Sequence, residues 1–198
     1  MLFIGDSYTA GDGLAEMSPS CVAAVRMGWL CHLSAVPGTG YISGGPANRF
    51  TVDPYIGKST SLSERIPSLA MVYQPDIVVL DGGRNDHFPP KDDVFKAMAA
   101  TIADARRAWP TATIVVERPR FLGDPGDDLG FDDEFFARLK TQPGAEGLEI
   151  IDPISWFTGE DTSGMLGKDE IHPNQQGELE LASALVNSFV GHGFAVKP

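Results

Sequence analysis

The chain has little cysteine, little positive charge and no long apolar run. Cys21 and Cys31 are the only two cysteines in 198 residues, too few for a scaffold built on disulfides. They also form no Cys-x-x-Cys pair, and no His-Glu-x-x-His spacing occurs among the four histidines, so the sequence implies no metal site. Lys and Arg number 15 against 27 Asp and Glu, a formal net charge of -12. Such a surface repels phosphate backbones and anionic lipid, which argues against nucleic acid as a partner. The basic clusters, Arg106-Arg107 and Arg118/Arg120, are too short to offset this. No apolar stretch approaches the roughly 20 residues that cross a bilayer, so a soluble protein without a transmembrane segment is expected. The glycines of Gly38-Thr39-Gly40 and Gly44-Gly45 lack the Gly-Lys-Ser/Thr continuation of a phosphate cradle. No cofactor is implied.

What is present fits one compact domain over residues 1–198, since 42% hydrophobic content over this length can bury a sizeable core. The opening Met1-Leu2-Phe3-Ile4 is too short for a signal peptide's apolar region and reads as a strand. Either a cytoplasmic protein or a secreted one whose leader has been removed is compatible with that start. Further strands are expected at Cys31 to Val36, Asp76 to Leu80, Ala112 to Glu117 and Leu148 to Ile151. Ile77-Val78-Val79-Leu80 and Ile114-Val115-Val116 read as strands buried on both faces. Helices are expected at Cys21 to Met27, Leu62 to Tyr73, Val94 to Trp109, Asp132 to Lys140 and Gln175 to Val190. In the last, Leu179, Ala182, Leu185, Val186 and Phe189 would form the apolar face. The alternation predicts an α/β fold, a parallel sheet with helices on both sides. In such geometry Cys21 on the first helix and Cys31 at the base of the second strand fall at different levels, beyond the roughly 7 Å limit for bridging. Two separate thiols are the favoured expectation, a disulfide the alternative.

Three short clusters carry chemistry. Ser7 sits in Gly5-Asp6-Ser7, directly behind the first strand. Asp169-Glu170-Ile171-His172 precedes the last helix, and Gly83-Arg84-Asn85-Asp86 follows the third strand. A serine hydroxyl attacks a carbonyl usefully only when an imidazole takes its proton and a third group fixes the imidazole's tautomer. Asp169 and His172 can supply both, and the Asn85 amide can donate to an oxyanion. Each cluster also has a plain alternative. Ser7 would cap a helix, Asp169 would cap the helix beginning at Pro173, and Asn85 would bond only its own loop.

With these clusters in this order the chain resembles the SGNH or GDSL-type hydrolases. Gly5-Asp6-Ser7, Gly38 in Val36-Pro37-Gly38-Thr39-Gly40-Tyr41, Gly83-Arg84-Asn85-Asp86 and Asp169-Glu170-Ile171-His172 match the family's four blocks. The resemblance implies a three-layer αβα sandwich with a five-stranded parallel sheet in the flavodoxin-like order 2-1-3-4-5. It also implies Ser7 as nucleophile, His172 as base, Asp169 as its partner, and an oxyanion hole from the Ser7 N–H, the Gly38 N–H and the Asn85 amide. Asp6 and Asp86 would be structural, bonding loop N–H groups. Tyr8 stands where the family's block often has Leu, a change that leaves the chemistry untouched. Arg84, in the variable position, would touch substrate or pair with an acid.

The loops behind the strand ends suggest the pocket walls. Tyr41 to Ser61, with Tyr41, Phe50 and Tyr55, and the Gly, Pro and Asp rich Arg120 to Gly130 are long connections. Together with Trp156, Phe157 and Met165 they would wall an acyl cleft or a sugar platform, or merely pack loops onto the body. Tyr41, Arg84 and Trp156 are the substrate-binding candidates. The expected activity is hydrolysis of a small-molecule or carbohydrate ester, with short acyl or O-acetyl groups favoured. Acyl transfer, lysophospholipase or thioesterase action, and a non-catalytic carbohydrate-binding or cell-wall-binding role on the same fold are the alternatives.

Overall fold

The computed structural model describes residues 1–49, 51–53 and 57–197. Phe50 and Tyr55, two of the expected pocket-wall aromatics, lie outside the described residues. Five strands form one parallel sheet: β1 (Leu2–Gly5), β2 (His32–Ala35), β3 (Ile77–Asp81), β4 (Thr113–Glu117) and β5 (Glu149–Ile151). Their order is 2-1-3-4-5, as the resemblance implies. A small antiparallel pair, Thr51–Asp53 with Gly57–Lys58, stands apart in the long second connection.

Period-two alternation builds two cores from the same strands. Leu2, Ile4, Val78, Leu80, Ile114 and Val116 face α3 (Leu62–Val72), α4 (Lys91–Ala108) and α5 (Asp133–Leu139). Met1, Phe3, Ile77, Val79, Val115 and Ile151 face α2 (Pro19–Arg26) and α6 (Gln175–Gly191). The apolar strand runs in the sequence therefore mark burial on both sides. Helix α1 (Ser7–Ala10) is one turn long, so the helix after Ser7 is shorter than an ordinary crossover helix. Among the described residues no helix is long and apolar enough to cross a membrane.

Two expectations are corrected. On α6 Ala182, Leu185, Val186 and Phe189 pack onto the core as expected, but the face is wider and turned from Leu179: Leu181 and Ala184 are also buried, while Leu179 is 45% exposed. Gly177 sets this rotation, because a Cβ there would lie 2.2 Å from the Met165 oxygen. Cys21 and Cys31 form a disulfide, with Cα atoms 5.2 Å apart. Helix α2 is only eight residues long, and the chain reverses at once at Gly28, whose φ is +73°. The Trp29 N–H reaches back to the Ala24 oxygen at 2.9 Å, so the return runs beside the helix and lifts Cys31 to the level of Cys21.

Candidate active site

The carboxyl ends of β1, β2 and β3 open onto one rim, where open parallel sheets place their ligand sites. At the end of β1 the chain must turn in very little space. A Cβ on Gly5 would lie 1.8 Å from Thr9 Oγ1 and 2.6 Å from the Asp81 oxygen. Asp6 caps the turn that follows, accepting the Tyr8 N–H at 2.9 Å while its own N–H donates to Thr9 Oγ1 at 3.1 Å. Ser7 is thereby fixed as the first residue of α1.

The opposite wall is the loop Gly167–His172. It is closed by the Gly167 N–H donating to the His172 oxygen at 2.7 Å and by the Leu166–Pro173 bridge. Asn174 ties this loop to α6: its amide donates to the Gly164 and Leu166 oxygens at 2.9 Å, and its oxygen accepts the Gly177 N–H at 3.0 Å. Glu170 takes a left-handed φ of +58°, uncommon for a residue with a side chain. The N–H groups of Ile171 and His172 both donate to Asp169 Oδ1, at 3.1 and 3.0 Å.

The two walls meet at an imidazole. His172 Nδ1 lies 2.6 Å from Asp169 Oδ2, and His172 Nε2 lies 2.8 Å from Ser7 Oγ. The hydrogen bond from the His172 ring, with the two backbone donors, holds the Asp169 carboxyl well below the usual carboxylate range. It therefore stays ionised beside the ring. Ser7, Pro37, Asp169 and His172 line a common cleft of about 690 Å³, within the size range of small-molecule sites. Asp12, Lys168, Gln175 and Glu178 contribute polar side chains to its lining.

Asn85 and the turn at Gly38 complete the rim. Gly83, with φ +111°, starts the short helical turn Arg84–Asp86. The Asn85 amide donates to the Thr39 oxygen at 2.9 Å, and the Thr39 hydroxyl donates to the Val36 oxygen at 2.7 Å. Gly38 has φ +75° in the turn between them. Asp86 is buried and accepts the N–H groups of Tyr41, Ile42 and Ser43 at 2.6, 3.3 and 2.8 Å. Both Asp6 and Asp86 therefore bond loop N–H groups.

The three substrate-binding candidates are not brought to this cleft. Tyr41 is buried in the core, its hydroxyl donating to the Leu80 oxygen at 3.4 Å. Arg84 is 2% exposed. Its guanidinium meets Asp81 at 2.5 Å, Glu117 at 3.3 Å and Asp6 at 3.6 Å, and its Nε donates to the Arg120 oxygen at 2.7 Å. Burial works against that charge, yet the three acids outweigh it and raise the Arg84 pKa. One guanidinium cannot balance three carboxylates. Burial, with Asp81 adding to it, pushes Glu117 well above the usual range, and burial pushes Asp6 up to about 6 despite Arg84. Glu117 accepts a hydrogen bond from the guanidinium, and Asp81 makes the shortest contact with it. Trp156 is exposed but bounds a separate groove with Arg118, Lys140, Asn187 and His192. Phe157 packs with Leu122, Ile154 and Leu181 against Tyr8, and Met165 lies beside them. The packing alternative holds for these residues.

The stretch after Arg120 does form a wall. Phe121, Gly123 and Asp124 line a second cleft with His87, Phe88 and Ile171, adjoining the first through Gly167 and Lys168. Tyr8, which the motif comparison treats as neutral, is buried, and its hydroxyl joins two other segments: it donates to the Ile171 oxygen at 2.6 Å and accepts the Leu122 N–H at 3.0 Å. A polar aromatic in a block that often carries Leu is the one sequence signal for it. Among the described residues no group of three or more His, Cys, Asp or Glu side chains is arranged to hold a metal.

The model of the GDSL-like lipase/acylhydrolase family matches residues 3–178. The chain belongs to that family. A GDSL lipase of Mycobacterium tuberculosis, Rv0518, is 33% identical over 125 residues, 59% of this chain and 52% of its own. The chain thus spans about half the length of that curated relative. An active-site mutant of a family two carbohydrate esterase from Clostridium thermocellum superposes with a TM-score of 0.70 at 22% identity, covering 98% of this chain and 64% of that one. Est24, a carbohydrate acetylesterase from Sinorhizobium meliloti, gives a TM-score of 0.67 at 15% identity, covering 96% and 98%. At these identities the structural likeness shows a shared fold.

Proposed function

We propose that this GDSL-family chain is a serine esterase working through an acyl-enzyme. The observation that carries the proposal is the continuous hydrogen-bonded line from Asp169 through His172 to Ser7 Oγ, with contacts of 2.6 and 2.8 Å. In the mechanism, Ser7 Oγ attacks the ester carbonyl while His172 Nε2 takes its proton, and the imidazolium returns that proton to the leaving alcohol. Water, deprotonated by the same nitrogen, then releases the acid from Ser7. Asp169 keeps Nδ1–H in place and stabilises the imidazolium. The Ser7 N–H, the Gly38 N–H and the Asn85 amide hold the oxyanion formed in both steps.

For the substrate we propose short-chain acyl esters, including O-acetyl groups on carbohydrate. The polar side chains of Asp12, Lys168, Gln175 and Glu178 in the cleft that holds the serine suit a hydroxylated alcohol portion. The carbohydrate esterases of like fold support the same choice. Hydrolysis of p-nitrophenyl acetate by the wild type and by Ser7→Ala tests the nucleophile: the variant should be inactive, and equal rates would remove the assignment. A panel from acetyl to palmitoyl esters tests the substrate class, and a preference for long chains would overturn it.

A further inference from the structure

The two side chains that meet at 2.8 Å come from opposite ends of the polypeptide, 165 residues apart, and their contact is solvent-exposed. An exposed hydrogen bond between side chains does little to hold two segments together, because water competes for both partners. A buried link stands directly behind it. Tyr8 is the covalent neighbour of Ser7, and Ile171 is the covalent neighbour of His172. The Tyr8 hydroxyl donates to the Ile171 oxygen at 2.6 Å and accepts the Leu122 N–H at 3.0 Å. One oxygen thus fastens the nucleophile's turn to the imidazole's loop and to the segment that walls the adjoining cleft.

The ring is as constrained as the hydroxyl. The Arg84 guanidinium lies over one face at 4.4 Å from the centroid. Phe121 meets the ring edge-on at 5.9 Å, and the His172 ring is 6.0 Å away. Arg84 is itself fixed by Asp81 and the Arg120 oxygen. The phenol therefore has a rigid floor, and the loop hanging from it inherits that position. A leucine at this place would fill the space without making either bond.

We infer that Tyr8 is a positioning residue whose hydroxyl sets the approach of His172 to Ser7, an inference that rests on reading that pair as base and nucleophile. Burial, the largest effect on this phenol, raises its pKa despite the Leu122 N–H and Arg84, with Asp6 and Asp169 adding to the rise. The proton donated to Ile171 is thus retained through neutral and mildly alkaline pH.

Tyr8→Phe keeps the ring and removes the link. A misplacement of about 1 Å can cost on the order of 100-fold in rate. The variant should lose roughly 10- to 100-fold in kcat and, in parallel, in the rate at which a fluorophosphonate labels Ser7, with KM within about twofold of wild type. Wild-type kcat and labelling rate per folded molecule would overturn the inference, whatever happens to Tm. A second variant preserves shape and hydroxyl: 3,5-difluorotyrosine at position 8 lowers the phenol pKa and should add an alkaline decline in kcat that wild type lacks. No added decline, with ionisation of the phenol confirmed by its absorbance, would also count against it. Ser7→Ala, run alongside, separates the two levels. If it is active, the nucleophile assignment fails; if it is inactive while Tyr8→Phe is unimpaired, only the role of Tyr8 fails.

Discussion

Asn85 donates its side-chain amide to the backbone oxygen of Thr39 at 2.9 Å, which links the loop after β3 to the turn that contains Gly38. The next acceptor, Asp6 Oδ2, is 3.5 Å away, too long to hold the second amide hydrogen firmly. One hydrogen therefore anchors the amide and the other is held only weakly, as the proposed oxyanion role requires. Loss of a single oxyanion donor costs about 10²–10³ in turnover. Asn85→Ala should show that loss in kcat for p-nitrophenyl acetate and retain a native circular dichroism spectrum. A loss confined to stability would reduce Asn85 to a loop anchor.

Asp169 should matter through the tautomer of His172 rather than through binding. Its carboxylate accepts the ring N–H, and an amide in its place favours the wrong tautomer, a change that costs about 10⁴ in a serine protease triad. Because this site is solvent-exposed, Asp169→Asn is expected to lower kcat by roughly 10²–10⁴ with little change in KM. Steady-state kinetics on the variant provide the check.

The buried acids beneath α1 give a pH prediction. Asp6, Asp81 and Glu117 converge because Gly5, Asp81 and Glu117 lie in register at the ends of β1, β3 and β4. A carboxyl whose pKa is raised on folding binds more protons folded than unfolded, so stability falls as pH rises between the two values. For Asp6 that window runs from 3.8 to about 6, and for Glu117 it starts at 4.5 and extends higher. Asp169, with a lowered pKa, contributes stability above the usual carboxylate range and loses it only as pH falls below that range. Thermal unfolding should therefore occur at a higher temperature at pH 5 than at pH 8. Glu117→Gln, a permanent mimic of the neutral acid, should raise Tm at pH 8 and change it little at pH 5.

The Cys21–Cys31 bridge closes a loop of sequence separation 10. For a loop of that length the entropic model gives about 2–3 kcal/mol. Reduction with dithiothreitol, or the double Cys→Ser substitution, should lower the free energy of unfolding by about that amount and leave kcat unchanged, since neither sulfur lines the site. Urea denaturation with and without reductant measures it.

Much of this molecule is local in sequence and therefore legible there. The two-sided apolar runs of β3 and β4 mark central strands without reference to any partner, while the strand order came only through the family resemblance. Ser7, Asn85, Asp169 and His172 sit in short motifs whose meaning does not depend on distant residues. The rest is nonlocal. For Arg84 the acid-pairing alternative holds, not the substrate contact, but which acids pair with it is not legible locally, since Asp6, Asp81 and Glu117 are dispersed over more than half the chain. Tyr41 turns inward because Asp86 captures its N–H. The disulfide depends on how abruptly the chain reverses at Gly28, and an element-level reading places Cys31 too low. Tyr8 is silent as a motif because its partners, Leu122 and Ile171, contribute backbone atoms.

The most direct test is where a mechanism-based phosphonate attaches. After incubation with a p-nitrophenyl phosphonate, peptide mass spectrometry of the wild type should place a single adduct on Ser7, formed at least 100-fold more slowly in His172→Ala, in line with the usual contribution of a general base of about 10²–10⁴. An adduct on another residue, or labelling of Ser7 at an unchanged rate without the imidazole, would contradict the account.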